Sequence, residues 1–130
     1  MPTLQLKISP VQSAERHALL AQALTAITGR VLGKRAEVTA VLVDELPARR
    51  WFIGGGVPEH ATALLEIRIT AGTNTPAEKA AFIEAAFAEL QQQLGPLEPA
   101  SYVVVHELPA TDWGYGGRTQ EARRHARVPA

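Results

Sequence analysis

The residue with the most chemistry to offer in this sequence is the second one. Once an initiator methionine is removed, Pro2 becomes a secondary amine held rigid by its own ring. A free α-amino group titrates near about pH 8, and burial or a neighbouring cation lowers that value toward neutrality. Such an amine can accept a proton and return it at the working pH, which is the requirement for moving a proton between carbon and oxygen. A retained Met1 would acylate the same nitrogen and abolish its basicity.

Cations that could hold an anionic substrate lie elsewhere in the chain. Arg68 stands between Ile67 and Ile69 in a strand-like segment, so its side chain emerges on one defined sheet face and could reach a cleft. Arg49 and Arg50 precede Trp51, and Lys34 and Arg35 lie at the end of the first helical segment. Tyr115 follows Trp113 closely and could donate a hydrogen bond to an enolate oxygen. Other constellations fail. His17, His60, His106 and His125 have no i, i+4 partner and no HExxH frame, so no metal site is expected. His106 and Glu107 are neighbours in a strand and point to opposite faces. The glycines at 54 to 56 and at 116 to 117 are followed by no helix with Lys-Ser/Thr, so they read as hairpin turns rather than phosphate loops.

An internal repeat shows how such groups would be positioned. VLVDELPARRW, Val41 to Trp51, matches VVVHELPATDW, Val103 to Trp113, with a constant offset of 62, and a glycine pair follows each tryptophan. Each half reads as strand, helix, strand. Leu4, Leu6 and Ile8 alternate with polar residues as a half-buried strand does. Ser13 is the candidate cap of a helix carrying Leu20, Leu24, Ile27 and Val31 and stopped at Gly33; residues 38 to 46 then read as β. The second half repeats this with a strand from Ala63 to Thr70, a helix from about Thr75 to Leu94, and a strand from Tyr102 to Leu108. Thr75 and Glu78 form a capping box, Pro76 opens the helix, and Ile83, Phe87, Leu90 and Leu94 give its buried stripe. That stripe is one residue out of phase with the first helix, which implies a one-residue insertion and makes Leu64 or Leu65 the counterpart of Pro2.

The expected fold is α+β: two fused β-α-β units, about 1–61 and 62–130, forming one domain whose four-stranded mixed sheet carries both helices on one face. Apolar runs such as Ala40 to Val43 and Val103 to Val105 predict that the other face is apolar and is covered by self-association. The terminal EARRHARVPA reads as frayed or as a subunit contact. Thirteen basic and thirteen acidic residues cancel, which points away from nucleic-acid and membrane surfaces and toward a small-molecule substrate. Without cysteine there is no thiolate nucleophile or disulfide, and with no signal-like segment a soluble, cytoplasmic protein is expected.

In its layout and in MPTLQLKI, VLVDELPARRWFIGGG and VVVHELPATDWGYGG, the chain resembles the tautomerase superfamily over nearly its whole length to about residue 120. It is similar to 4-oxalocrotonate tautomerase and, more closely, to fused two-unit members such as the cis-3-chloroacrylic acid dehalogenase-like group. The resemblance implies a tautomerase fold, a catalytic Pro2, no cofactor and a homotrimer. Trp51 and Trp113 match the position that lines the family's hydrophobic pocket. The implied activity is keto-enol tautomerisation of a small 2-oxo or 2-hydroxy acid; the alternatives are hydration, dehalogenation or decarboxylation of a 3-carbon acid, or a noncatalytic oligomeric relative. The chain departs from the family in its substrate groups. The arginine before the first helix falls on Gln12, and on Asn74 or Thr73 in the second half. The arginine on the following strand falls on Ala40 and Tyr102, and the dehalogenase-like histidine falls on Thr28.

Overall fold

The computed structural model describes residues 2–127. Strand β1 (Thr3–Ser9) leads into helix α1 (Ala14–Leu32) and back into β2 (Ala40–Glu45). The second unit is β3 (Thr62–Thr70), α2 (Pro76–Leu94) and β4 (Tyr102–Leu108). A short hairpin of β5 (Gly114–Tyr115) and β6 (Arg118–Thr119) follows, then α3 (Gln120–Arg127). The helix boundaries lie where the capping residues put them. Ser13 Oγ accepts the Arg16 N–H at 3.1 Å, and Gly33 takes the left-handed conformation, φ 71°, that closes α1. At α2 the Thr75 hydroxyl and the Glu78 carboxylate satisfy each other's backbone N–H groups. Among the described residues no helix is long and apolar enough to cross a membrane.

The sheet order is β2-β1-β3-β4, with each β-α-β unit parallel within itself and β1 antiparallel to β3. The two units are thus related by an approximate twofold axis between the central strands. Helix starts and edge strands correspond at an offset of 62: Ser13 with Thr75, and Ala40 with Tyr102. The central strands correspond at 61, because Thr3 pairs with Ala40 whereas Leu64 pairs with Tyr102. The extra residue therefore lies between β3 and α2, and the counterpart of Pro2 is Ala63, not Leu64 or Leu65. The buried stripe of α2 is likewise corrected. It runs through Phe82, Ala86 and Leu90, in phase with Leu20, Leu24 and Thr28 of α1, while Ile83 is 40% exposed. A helix with apolar residues and alanines on several faces admits two phases, and packing over the strands selects one.

Leu4, Leu6 and Ile8 from β1 and Leu65, Ile67 and Ile69 from β3 are fully buried beneath Leu20, Leu24, Phe82 and Leu90. Each such side chain contributes about 1.5–3 kcal/mol of transfer free energy, so the central strand pair is the most strongly held part of the fold. Edge strands are tied to the helix layer by equivalent side-chain pairs: His17 Nε2 is 2.7 Å from Glu45, and Lys79 Nζ is 2.8 Å from Glu107, again at an offset of 62.

The second sheet face differs from the expected apolar surface. Leu42 and Tyr102 are exposed on it, but so is a polar stripe in which Arg68 bonds Gln5 at 3.1 Å and His106 bonds Glu66 at 2.9 Å. The runs Ala40 to Val43 and Val103 to Val105 misled because strand alternation sends only every second residue to that face. The terminal segment also differs from a frayed tail. Gln120 N–H donates to the Trp113 carbonyl and Glu121 N–H to the Ala110 carbonyl, both at 2.9 Å, anchoring α3 on the hairpin; residues 128–130 lie outside the described residues.

Candidate active site

Pro2 is buried at the start of β1, between β2 and β3. The alternation that sends Leu4, Leu6 and Ile8 to the helix layer puts the proline ring on the same side. Its carbonyl accepts the Ala40 N–H at 3.2 Å. Within a strand the N and C=O of one residue face the same neighbour, so the Pro2 nitrogen is turned toward β2 and toward Thr39. Continuing the β1–β3 register by one residue sets Pro2 against the fully buried Ile69. These surroundings would disfavour the charged form of a terminal amine. The question of Met1 falls on a residue outside those described.

Arg68 and Lys34 are two of the cations at this end of the sheet. Arg68 pairs in register with Thr3, adjacent to Pro2, but its side chain lies on the face opposite the helices and its guanidinium is held by Gln5. Lys34 comes from the helix side. It follows the α1 cap, and its ammonium donates to Thr73 Oγ1 at 2.8 Å, which in turn donates to the carbonyl of Thr70 at the end of β3. Partial burial lowers the Lys34 pKa, and the Glu78 carboxylate acts in the opposite direction. Lys34 therefore presents a partly desolvated ammonium, a better anion partner than a fully hydrated one. Arg49 and Arg50 are exposed at the other end of the sheet, where β2 leads toward Trp51.

The two tryptophans are separated by the same geometry. β2 ends beside Ile8, far from Pro2, and Trp51 lines an open cavity of about 440 Å³ with Phe52, Ile53, Ala63, Leu64 and Tyr102. Trp51 therefore stands over the counterpart of Pro2 rather than over Pro2. β4 ends beside Thr70, at the Pro2 end, and Trp113 follows there. The turns leading into the two residues match: Arg50 N–H donates to the Pro47 carbonyl and Asp112 N–H to the Pro109 carbonyl, both at 2.9 Å. The hairpins beyond match as well, with Ile53 bridged to Gly56 and Tyr115 paired with Arg118. The glycine turns are hairpin turns, with Gly116 and Gly117 at φ 61° and 79°, open to glycine without strain. The indole N–H of Trp113 is buried and has no acceptor among the described residues.

Tyr115 lies in this hairpin beneath the Arg123 guanidinium, 3.8 Å from its ring centroid, and Arg123 also bonds the Tyr115 carbonyl at 2.9 Å. Its ring is thus a packing partner of α3. At the positions where the resemblance places substrate-binding groups, Gln12 donates its backbone N–H to Glu45, and the Asn74 side chain caps the Leu32 carbonyl at 3.0 Å. Thr28 is fully buried and bonds the Leu24 carbonyl at 2.7 Å, so it offers no group to a cleft. Sequence reasoning did not single out Lys34 above the other cations, or Thr39 at all. The signal for Lys34 was its place directly after the cap glycine, where the chain returns to the start of β2.

The Tautomerase family model, described as tautomerase enzyme, matches residues 2–61. The F6 fused 4-OT, solved as an asymmetric trimer, is 31% identical, with 93% of this chain and 98% of that chain covered and a TM-score of 0.83. The chain belongs to the tautomerase superfamily. The R7 fused 4-OT, also solved as an asymmetric trimer, is 30% identical over 94% of this tautomerase-superfamily chain and 98% of its own, with a TM-score of 0.84. N1, a member of the cis-3-chloroacrylic acid dehalogenase family, shares the fold at 21% identity and a TM-score of 0.80, covering 98% of this chain and 92% of its own. No curated protein matches the chain in sequence.

Proposed function

We propose that this superfamily member is a tautomerase that uses the amine of Pro2 as general acid-base for keto-enol tautomerisation of a small 2-oxo or 2-hydroxy acid. The observation that carries the reading is the burial of Pro2 at the head of a central strand, its nitrogen turned into the sheet edge where β2 begins. In the forward direction the amine takes the hydroxyl proton of the enol as the carbonyl forms, and a proton is returned from the ammonium to carbon. The O–H bond breaks, a C–H bond forms, and no redox change or cofactor is required.

Lys34 from the helix side and Arg68 from the opposite face are the cations proposed to hold the substrate carboxylate and to draw charge from the developing enolate. Trp113 is proposed as the aromatic wall, its buried indole N–H supplying a donor to a substrate oxygen. Trp51, at the far end of the sheet, would approach a Pro2 site only from another copy of the chain. The trimers formed by the fused 4-OT relatives support a homotrimer here, with the exposed Leu42 and Tyr102 as apolar contacts.

The reading is tested by separating the Met-free chain from a form that keeps Met1, each verified by intact mass, and assaying both. The Met-free form is expected to carry the activity. Equal activity in both forms would exclude Pro2 as the base.

A further inference from the structure

The second unit shows, in its own frame, what the nitrogen of Pro2 meets in the first. Ala63, the counterpart of Pro2, donates its backbone N–H to Ser101 Oγ at 3.1 Å, just before β4 begins. At the offset of 62 shared by the edge strands, Ser101 corresponds to Thr39, just before β2 begins. The backbones of the two residues are held alike: Thr39 N–H donates to the Ala36 carbonyl at 3.1 Å, and Ser101 N–H to the Glu98 carbonyl at 3.0 Å. The first unit therefore sets Thr39, which also carries a hydroxyl, at the corresponding position, beside Pro2 in the β1–β2 register. Thr39 Oγ1 already donates its own proton to the Arg35 carbonyl at 2.7 Å, which leaves its lone pairs to accept.

We infer that Thr39 is a positioning residue for Pro2, its hydroxyl accepting an N–H of the protonated amine and aiming the remaining N–H into the site. This rests on the reading of Pro2 as a free terminal amine. An acceptor of this kind stabilises the ammonium over the neutral amine, so it opposes the desolvation that the buried setting imposes. Among the described residues, the titratable and charged groups at this end of the sheet include Arg35 and Glu37 before Thr39, Lys34 with Glu78 from the helix side, Arg68 with His106 and Glu66 from the opposite face, the Lys79–Glu107 pair, and Asp112 and Arg118 of the Trp113 hairpin. They are common to every variant compared below.

The test is an NMR titration of Pro2 in the intact-mass-verified Met-free chain labelled with isotopic proline, for wild type, Thr39→Val, Thr39→Ala and Thr39→Ser. The chain has nine prolines, but only a terminal amine titrates, so the signal is unique. Both hydroxyl-free variants are expected to lower the Pro2 pKa by about 0.5 to 1 unit, with Thr39→Ser restoring it. The acidic limb of kcat/KM should move with it. Thr39→Ala adds no apolar bulk beside the amine, so it separates loss of the hydroxyl from added desolvation. A Pro2 pKa that is the same in wild type and Thr39→Ala, or that rises in it, overturns the inference. The titration needs no turnover, so it stands apart from the tautomerase reading, which fails instead if Pro2→Ala keeps full activity.

Discussion

Ala63 occupies in the second β-α-β unit the position that Pro2 occupies in the first. Both stand one residue before a Thr3–Ala40 or Leu64–Tyr102 register pair, at the head of a central strand. An internal residue has an amide where a terminal residue has an amine, so the second position cannot act as a base. Ala63→Gly is expected to leave kcat/KM unchanged while costing about 0.5–1 kcal/mol of stability, read by denaturant titration, because glycine weakens a strand interior. A large kinetic loss with stability intact would show that the second position takes part in turnover.

The same symmetry distinguishes the tryptophans. Trp113→Ala is expected to lower kcat/KM at least about tenfold, a loss of about 1.4 kcal/mol of transition-state stabilisation, and Trp51→Ala to act less on kinetics than on assembly. Sedimentation of both variants beside steady-state kinetics checks this. The reverse ranking would place the substrate at the Trp51 end of the sheet.

The two cations proposed to bind the carboxylate differ in their surroundings. Lys34 is partly desolvated, whereas Arg68 is turned to the opposite face and engaged by Gln5. Lys34→Ala is therefore expected to raise KM for an anionic substrate by roughly tenfold, the scale of one charged hydrogen bond, and Arg68→Ala by less. Identical KM values for wild type and Lys34→Ala would remove Lys34 from the site.

Acid should loosen the helix layer. The Lys79 ammonium holds the Glu107 carboxyl below the ordinary carboxylate range; at Glu45 the Gln12 N–H does so first and His17 adds to it. A carboxyl whose folded pKa is depressed contributes stability that is present above its unfolded value, about 4.3, and is lost as pH falls through the folded value. Denaturation midpoints are expected to hold from neutral pH to about 5 and to fall below about 4.3, with Glu107→Gln removing part of the fall. A midpoint drop in Glu107→Gln as steep as in wild type would show that this pair carries none of it.

Much of the architecture was legible because short-range chemistry fixes it. Ser13, Gly33, Thr75 with Glu78, and Pro76 mark the helix ends, and the alternation in β1 gives its buried face. The phase of α2 was not legible, since Phe82 and Ile83 are both apolar and only contact with the sheet distinguishes them. Helix α3 escaped notice for the opposite reason. It has no apolar stripe and is held by backbone bonds to Trp113 and Ala110 and by Arg123 over Tyr115. At the site, Pro2 and Arg68 come to the same end of the sheet and Trp113 follows the strand that ends there, but Trp51 goes to the other end. That division depends on which end of the sheet each edge strand reaches, a property of topology and not of spacing.

The most direct test of Pro2 chemistry is ketonisation of a 2-hydroxydienoate and of an arylenolpyruvate, followed by absorbance, with Met-free wild type beside Pro2→Ala. Loss of most of the activity in Pro2→Ala, with its fold intact by circular dichroism, is the predicted result. Equal turnover by the two proteins, or none by the Met-free wild type on either enol, would contradict the account.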